Sequence, residues 1–379
     1  MKKFFKVLAA LLIPVQLWAG GKTATVDNTS LLQARLWAGE TTATAEKLDA
    51  ANTSVVSVAA PVAVATGTQQ NRKLMDKTWI YLIDGDTISY GERGRGLPRK
   101  QMRIAGIDTP EVHHYSAGKF EDQAYGPDAT KAGREIIKAA KKVEYIDLGK
   151  DKYGRTLVYV FVDDKLYAVE MLKRGLAYEY ITAYGDNGYP EIGAAILDAA
   201  AQYPRKDFEY PHDWRTRVWS PENEAAELEA DLAKPRIKMD KAQIIYDDGD
   251  TITYQGEIFR FVTIDTPEIT HVEDGIMEDQ PYGREAAAFT EKLFKEANTL
   301  EYISLGKDKY GRTLALFFVD GKMAQEIIVK AGLAYESVSI FGASGVPGYA
   351  RTVLAAFKSM PKPPFENPMY WRKEHQVKP

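Results

Sequence analysis

Apolar and polar positions in this chain alternate first with the period of strands and then with the period of helices. Runs at Trp79–Ile83, Thr87–Tyr90 and Met102–Ile107 are apolar, rich in β-branched residues and separated by Gly-containing breaks, so three strands are predicted. From Pro127 to about Lys141 the spacing changes, and Ala132, Ile136, Ile137 and Ala140 fall on one face of a helix. Strands at Val143–Leu148 and Leu157–Val162 flank an Asp-Lys-Tyr-Gly-Arg turn. A second helix, Leu166–Arg174, stops before Gly175, and a third is expected over Glu191–Gln202. Three strands, a helix, two strands and more helix predict a small α+β domain built on a five-stranded barrel.

That order occurs twice. Glu144–Leu157 (EYIDLGKDKYGRTL) and Glu301–Leu314 (EYISLGKDKYGRTL) differ at one position and lie 157 residues apart. The same spacing pairs Arg103 with Arg260, Asp108 with Asp265, Tyr125 with Tyr282, Gly175 with Gly332, and Trp214-Arg215 with Trp371-Arg372. Upstream the spacing widens to 164, because only the first copy has the Gly- and Arg-rich loop Gly91–Lys100. The expected organisation is therefore two tandem domains, 71–220 and 237–379, joined by an acidic linker, 221–236, that carries Glu222, Glu224, Glu227, Glu229 and Asp231. Each copy is large enough for its own core, which distinguishes a tandem from a solenoid.

The first nineteen residues read as an export signal: Lys2, Lys3 and Lys6, then the apolar run Val7–Val15, then Leu17-Trp18-Ala19 as a cleavage site. This run is too short to span about 30 Å of hydrocarbon. Periplasmic or secreted localisation is expected, without stable membrane insertion after cleavage. Residues 20–70 are rich in Ala, Thr, Val and Ser and contain a local duplication (LWAGGKTAT, LWAGETTAT), the pattern of a flexible tether. The 379 residues include no cysteine, which excludes disulfides, thiolate zinc sites and cysteine nucleophiles. A net charge of −4 does not mark a nucleic-acid binder, although net charge describes solubility and not the inside of a cleft.

Candidate chemistry lies in three segments. Asp84-Gly85-Asp86-Thr87 sits at a strand edge, where an extended chain would put Asp84 and Asp86 on one face. Arg103 is followed by Asp108-Thr109-Pro110-Glu111; the opposite strand parity of Arg103 and Asp108 puts Asp108 past the strand end, and Pro110 stops the strand there. The third segment is Asp151-Lys152-Tyr153-Gly154-Arg155. Copy two repeats all three as Asp248-Gly249-Asp250-Thr251, Arg260 with Asp265-Thr266-Pro267-Glu268, and Asp308-Lys309-Tyr310-Gly311-Arg312. Alone, each is ordinary: a capped turn, the wet face of a sheet, a solvated hairpin. Together they make a chemically complete set, with carboxylates for a hard divalent cation, paired arginines for a phosphate, and one further carboxylate to activate water.

Through nearly the whole of each domain, these motifs resemble the staphylococcal nuclease (thermonuclease) family. The resemblance implies two OB-fold five-stranded barrels, each packed with about three helices, and Ca²⁺-dependent hydrolysis of DNA and RNA that leaves 3′-phosphates. It assigns one Ca²⁺ per domain, to Asp86, Asp108 and the Thr109 carbonyl, and to Asp250, Asp265 and Thr266. Glu111 and Glu268 become general bases, and Arg103, Arg155, Arg260 and Arg312 grip the phosphates. Lys152, Tyr153, Lys309 and Tyr310 contact the bound nucleotide. The alternative is a scaffold or binding protein of nuclease-like domains that have lost catalysis, or one cutting and one holding domain. Such loss ordinarily removes the arginines or acidic ligands, and both copies keep them. A monomer is the expected state. His114 and His271 read as solvated loop histidines, with a metal-ligand or acid role as the alternative; Trp214 and Trp371 read as anchors for the C-terminal segments, and Tyr178 and Tyr335 as packing residues.

Overall fold

The computed structural model describes residues 70–92, 99–272 and 275–377. The export signal, the tether up to residue 69 and residues 93–98 of the Gly/Arg loop lie outside the described residues. The first domain opens with β1 (Lys73–Met75), β2 (Ile80–Leu82), β3 (Thr87–Tyr90), β4 (Lys100–Ile104) and β5 (Ile107–Asp108). Then come α1 (Gly126–Ala139), β6 (Val143–Lys150), β7 (Thr156–Val162), β8 (Lys165–Leu166), α2 (Tyr167–Lys173), β9 (Tyr178–Glu179), α3 (Ile181–Tyr184), α4 (Pro190–Gln202) and α5 (Pro211–Val218). The acidic stretch forms helix α6 (Pro221–Leu232), with Ser220 Oγ accepting the Asn223 N–H at 3.0 Å and Glu222 and Glu224 in the first turn, where the helix dipole favours anions.

The second domain repeats the order as β10 (Ile237–Lys238), β11 (Ile244–Tyr246), β12 (Thr251–Tyr254), β13 (Glu257–Phe261), β14 (Ile264–Asp265), α7 (Gly283–Glu296), β15 (Leu300–Lys307), β16 (Thr313–Val319), β17 (Lys322–Met323), α8 (Ala324–Lys330), β18 (Tyr335–Glu336), α9 (Val338–Phe341), α10 (Pro347–Ser359) and α11 (Pro368–His375).

Each domain is a curled OB-type sheet, in the order β1-β6-β7-β4-β3-β2 in the first and β10-β15-β16-β13-β12-β11 in the second. All neighbours are antiparallel except β4 with β7 and β13 with β16. Each sheet has seven strands where five were expected. The additions are short edges, β1 with β8 and β10 with β17, too brief to show a period. Helices α3 and α5 were not expected either. The first has four residues, and the second is a polar segment started by Pro211 that buries chiefly Trp214.

The two cores solve the same packing problem with different volumes. Ile104, Ile137 and Val160 in the first domain correspond to Phe261, Phe294 and Phe317 in the second, all buried. Those rings pack with centroids 4.2 to 5.7 Å apart. A compensated exchange holds the aspartate turn. The Tyr167 hydroxyl donates to the Gly85 carbonyl at 2.7 Å, and Gly133 leaves the room, since a Cβ there would lie 2.2 Å from that hydroxyl. In the second domain Ala324 replaces the tyrosine, Thr290 replaces the glycine, and the Thr290 hydroxyl donates to the Gly249 carbonyl, again at 2.7 Å. Tyr167→Phe is therefore expected to destabilise the protein by about 1–3 kcal/mol, the cost of leaving a buried carbonyl unsatisfied. Chemical denaturation would measure it, and an unchanged midpoint would count against this coupling.

Candidate active site

The Asp-Gly-Asp segment is a bend between β2 and β3, which corrects the expectation of an extended edge. Asp84 Oδ1 folds back to accept the Asp86 N–H at 2.9 Å, and Asp248 does the same for Asp250 at 2.8 Å. The Thr109 N–H and hydroxyl both donate to Asp86 Oδ2, at 2.7 and 3.0 Å, and the Thr266 N–H donates to Asp250 Oδ2 at 2.7 Å. Asp108 lies past the end of β4, as expected, but in a strand of its own. The chain turns at Ala105-Gly106, and Asp108 ends β5, paired with Tyr178 of β9.

Four carboxylates are thereby buried together in each domain: Asp84, Asp86, Asp108 and Glu111, and Asp248, Asp250, Asp265 and Glu268. Arg103, on β4, bridges Asp86 and Asp108, with 2.6 Å to Asp108 Oδ1. Arg260 bridges Asp250 and Asp265, with 2.5 Å to Asp265 Oδ1.

A second arginine joins each cluster that the sequence reading did not assign to it. Arg215, on α5, donates to both oxygens of Asp108, at 3.1 and 3.0 Å, and to Glu111 Oε1. Arg372, on α11, repeats this on Asp265, at 3.1 and 2.8 Å, and on Glu268. The Trp-Arg pair at the repeat spacing was the available signal. Trp214 and Trp371 are buried anchors, and each carries its neighbouring arginine into the site.

The glutamate is positioned through its backbone. The Glu111 N–H donates to Gln123 Oε1 at 3.1 Å, its carbonyl accepts the Gln123 N–H at 2.9 Å, and Gln123 Nε2 donates to the Glu209 carbonyl at 2.6 Å. Gln280 clamps Glu268 in the same way and reaches the Glu366 carbonyl at 2.6 Å. Helix α1 begins against this segment, and only glycine fits its first position, since a Cβ at Gly126 would lie 1.9 Å from the Glu111 carbonyl oxygen. Gly283 meets Glu268 likewise, at 2.1 Å.

Burial, and then the charge of Asp84, push the Glu111 carboxyl up to about 7 against the pull of Arg215. Glu268 and Asp248 are raised too, chiefly by burial. Oxygen atoms of Asp84 and Glu111 and a ring nitrogen of His114 lie within 4.8 Å of one another. His271 Nε2 is buried without a hydrogen-bond partner, 4.0 Å from Asp248 Oδ2. Both histidines thus face acidic groups, which corrects their reading as solvated loop residues. An oxygen-rich donor set with unrelieved negative charge fits a hard divalent cation.

Arg155 and Arg312 are bonded within their own turns. The Arg155 Nε donates to Asp151 Oδ2 at 2.8 Å, and Arg312 to Asp308 at the same distance. Tyr153 and Tyr310 project from these turns, 71% and 72% exposed, with Lys152 and Lys309 ammonium groups 5.0 and 4.8 Å from their ring centroids. Tyr178 and Tyr335 pack as expected, donating to the Phe208 and Phe365 carbonyls at 3.0 Å.

Fold and site together define a tandem OB-type protein with one buried carboxylate–arginine centre per domain. A model of the staphylococcal nuclease homologue family matches residues 101–207 and 258–343, just over half of the chain, and the chain belongs to that family. It is similar to the endonuclease YncB of Bacillus subtilis, 37% identical over 125 residues, 31% of this chain and 56% of that protein. The SPbeta prophage-derived endonuclease YokF of the same organism is 38% identical over 122 residues, 30% of this chain and 39% of that protein. The thermonuclease of Staphylococcus hyicus is 39% identical over 99 residues, 26% of this chain and 55% of that protein. The chain spans about half the length, or less, of these curated relatives. Among the described residues no helix is long and apolar enough to cross a membrane.

Proposed function

We propose that this chain is an exported, calcium-dependent nuclease that hydrolyses phosphodiester bonds of DNA and RNA without strong sequence preference, using one site in each domain. The supporting observation is that both copies bury the same four carboxylates against two arginines, although matched core positions are aliphatic in one and aromatic in the other. A fold kept only for its shape has no use for eight buried carboxylates, which cost free energy unless a cation and a substrate compensate them.

Asp86, Asp108 and the Thr109 carbonyl would hold Ca²⁺ in the first domain, and Asp250, Asp265 and Thr266 in the second. When bound, the ion supplies positive charge for the phosphate oxygens and for the attacking water. Glu111 and Glu268 take the proton of that water. Water oxygen bonds to phosphorus, the 5′ oxygen leaves with the bonding pair and takes a proton from solvent, and the products are a 3′-phosphate and a 5′-hydroxyl. Arg103 and Arg260 lie beside the metal-binding carboxylates, where a non-bridging phosphate oxygen would draw on their charge. Arg155 and Arg312 exchange Asp151 and Asp308 for the phosphate as substrate enters. Lys152, Tyr153, Lys309 and Tyr310, on the exposed turns, contact the nucleotide.

Circular single-stranded DNA and a structured RNA test this directly. In Ca²⁺ both are expected to be cut internally, with 3′-phosphate ends detected by their resistance to tailing until a phosphatase is added. Tight binding of both without cleavage would replace this reading with a binding protein of nuclease-like domains. Because neither domain is strongly basic, few phosphates are neutralised on binding, so affinity should be modest and should fall only gently with salt.

A further inference from the structure

The segment between Glu111 and Gln123 forms a small lobe. His114 and Lys119 pair their backbones at 2.8 and 3.2 Å, Tyr115–Ala117 makes one tight turn, and the His113 N–H donates to Asp122 at 2.7 Å. The lobe begins and ends at the clamp that positions the Glu111 backbone, so its placement bears directly on the first site.

This lobe is held by the second domain. Arg351, on α10, donates through Nε to the Gly118 carbonyl at 2.9 Å and stands 5.1 Å from the centroid of Phe120. Lys358, two turns along the same helix, donates to the Ser116 carbonyl at 2.8 Å. Phe120 packs on Val338, Ala350 and Leu354 of the second domain. The linker helix α6 also holds α10. Asp231, buried, accepts the Gly348 and Tyr349 N–H groups at 2.8 and 3.3 Å, and Glu227 pairs with Arg351 at 2.5 Å.

Among the described residues the arrangement has no counterpart in the other direction. At the repeat spacing Arg351 corresponds to Ala194 and Lys358 to Ala201, so helix α4 carries neither cation. The equivalent lobe of the second domain is closed instead by the chain's own C-terminal segment, with Ile276 bridged to Gln376 and the Val377 N–H donating to the Gly275 carbonyl at 2.9 Å.

We propose that the second domain positions the catalytic lobe of the first, with Arg351 as the positioning residue, so that the first site depends on the second domain and not the reverse. This rests on the nuclease reading of the first site. Two cationic side chains present only in the second copy both end on backbone carbonyls of the first copy's lobe, a use for which independent tandem domains have no need.

The test uses the full chain in two backgrounds: Glu268→Gln, which reports the first site, and Glu111→Gln, which reports the second. In the first background, Arg351→Ala is expected to lower kcat about ten-fold, the scale of a sub-ångström displacement of catalytic groups, while KM for single-stranded DNA changes little. Arg351→Lys, which keeps a donor for the Gly118 carbonyl, should recover most of that loss. In the second background kcat should stay within about two-fold, because nothing in that site's chain of contacts is removed. Amide hydrogen exchange, read without any turnover, should show faster opening of residues 113–123 in Arg351→Ala. Unchanged exchange in the lobe, a loosened lobe with first-site kcat intact, or equal losses at both sites would each overturn the proposal. A parent chain that cuts nothing would end the nuclease reading and this inference with it, an outcome distinct from an active parent that Arg351→Ala leaves untouched.

Discussion

Replacing both Glu111 and Glu268 by glutamine is expected to lower the rate of nucleic-acid cleavage by about 10²–10⁴-fold, the range of a lost general base. Glutamine keeps the size of the side chain and a hydrogen-bond acceptor for Arg215 or Arg372, but it cannot take a proton from water. Each single variant should retain the activity of the other site, so the two singles lose complementary fractions and the double loses both. A stability measurement separates lost chemistry from lost structure. Glu111 titrates near 7 in the folded protein, raised by burial and by Asp84 from an ordinary value of 4.5. Between those values the folded state holds a proton that the unfolded chain has released, so this group's contribution to stability falls as pH rises, and above about 7 its full penalty is present. Glutamine removes the penalty. Without metal at pH 8, the Tm of Glu111→Gln should therefore equal or exceed that of the parent, and the difference should vanish near pH 4. An inactive variant with a Tm far below the parent's would mean that the glutamate supports the fold and that its loss says nothing about a base.

Chelation of divalent cations should abolish cleavage altogether, and added Ca²⁺ should restore it. With four buried carboxylates and two arginines per cluster, each domain has charge left for one hard cation. The flexible coordination of calcium suits carboxylates fixed by their own backbone bonds, as Asp86 and Asp250 are by Thr109 and Thr266. Magnesium, smaller and reluctant to shed water, should support little activity. Metal that binds only the folded state also stabilises it by mass action, about 2.7 kcal/mol at one hundred times Kd. A calcium-dependent rise in Tm should accompany the return of activity, and Asp86→Ala with Asp250→Ala should suppress both. Full activity in excess EDTA would remove the metal assignment and, with it, the roles given to the aspartates.

The tandem α+β plan and the family can be read along the chain. Both were legible because they rest on local pattern: strand and helix periods, glycine stops, and a fourteen-residue motif repeated with one change. The motifs also named Asp86, Arg103, Asp108, Thr109 and Glu111, which the fold does bring into one cluster. Tertiary structure alone decided what surrounds them. Arg215 arrives from a helix more than a hundred residues downstream, and Gln123 holds Glu111 through backbone bonds that no side-chain pattern announces. Likewise, only the fold shows Arg155 paired with Asp151 inside its own turn. The lobe after Glu111 is settled by Arg351 and Lys358, residues that read in sequence as ordinary charges on an amphipathic helix. Sequence carries the periods that neighbours along the chain impose on one another. Which charges meet across a fold depends on where distant elements end in space, and only packing sets that.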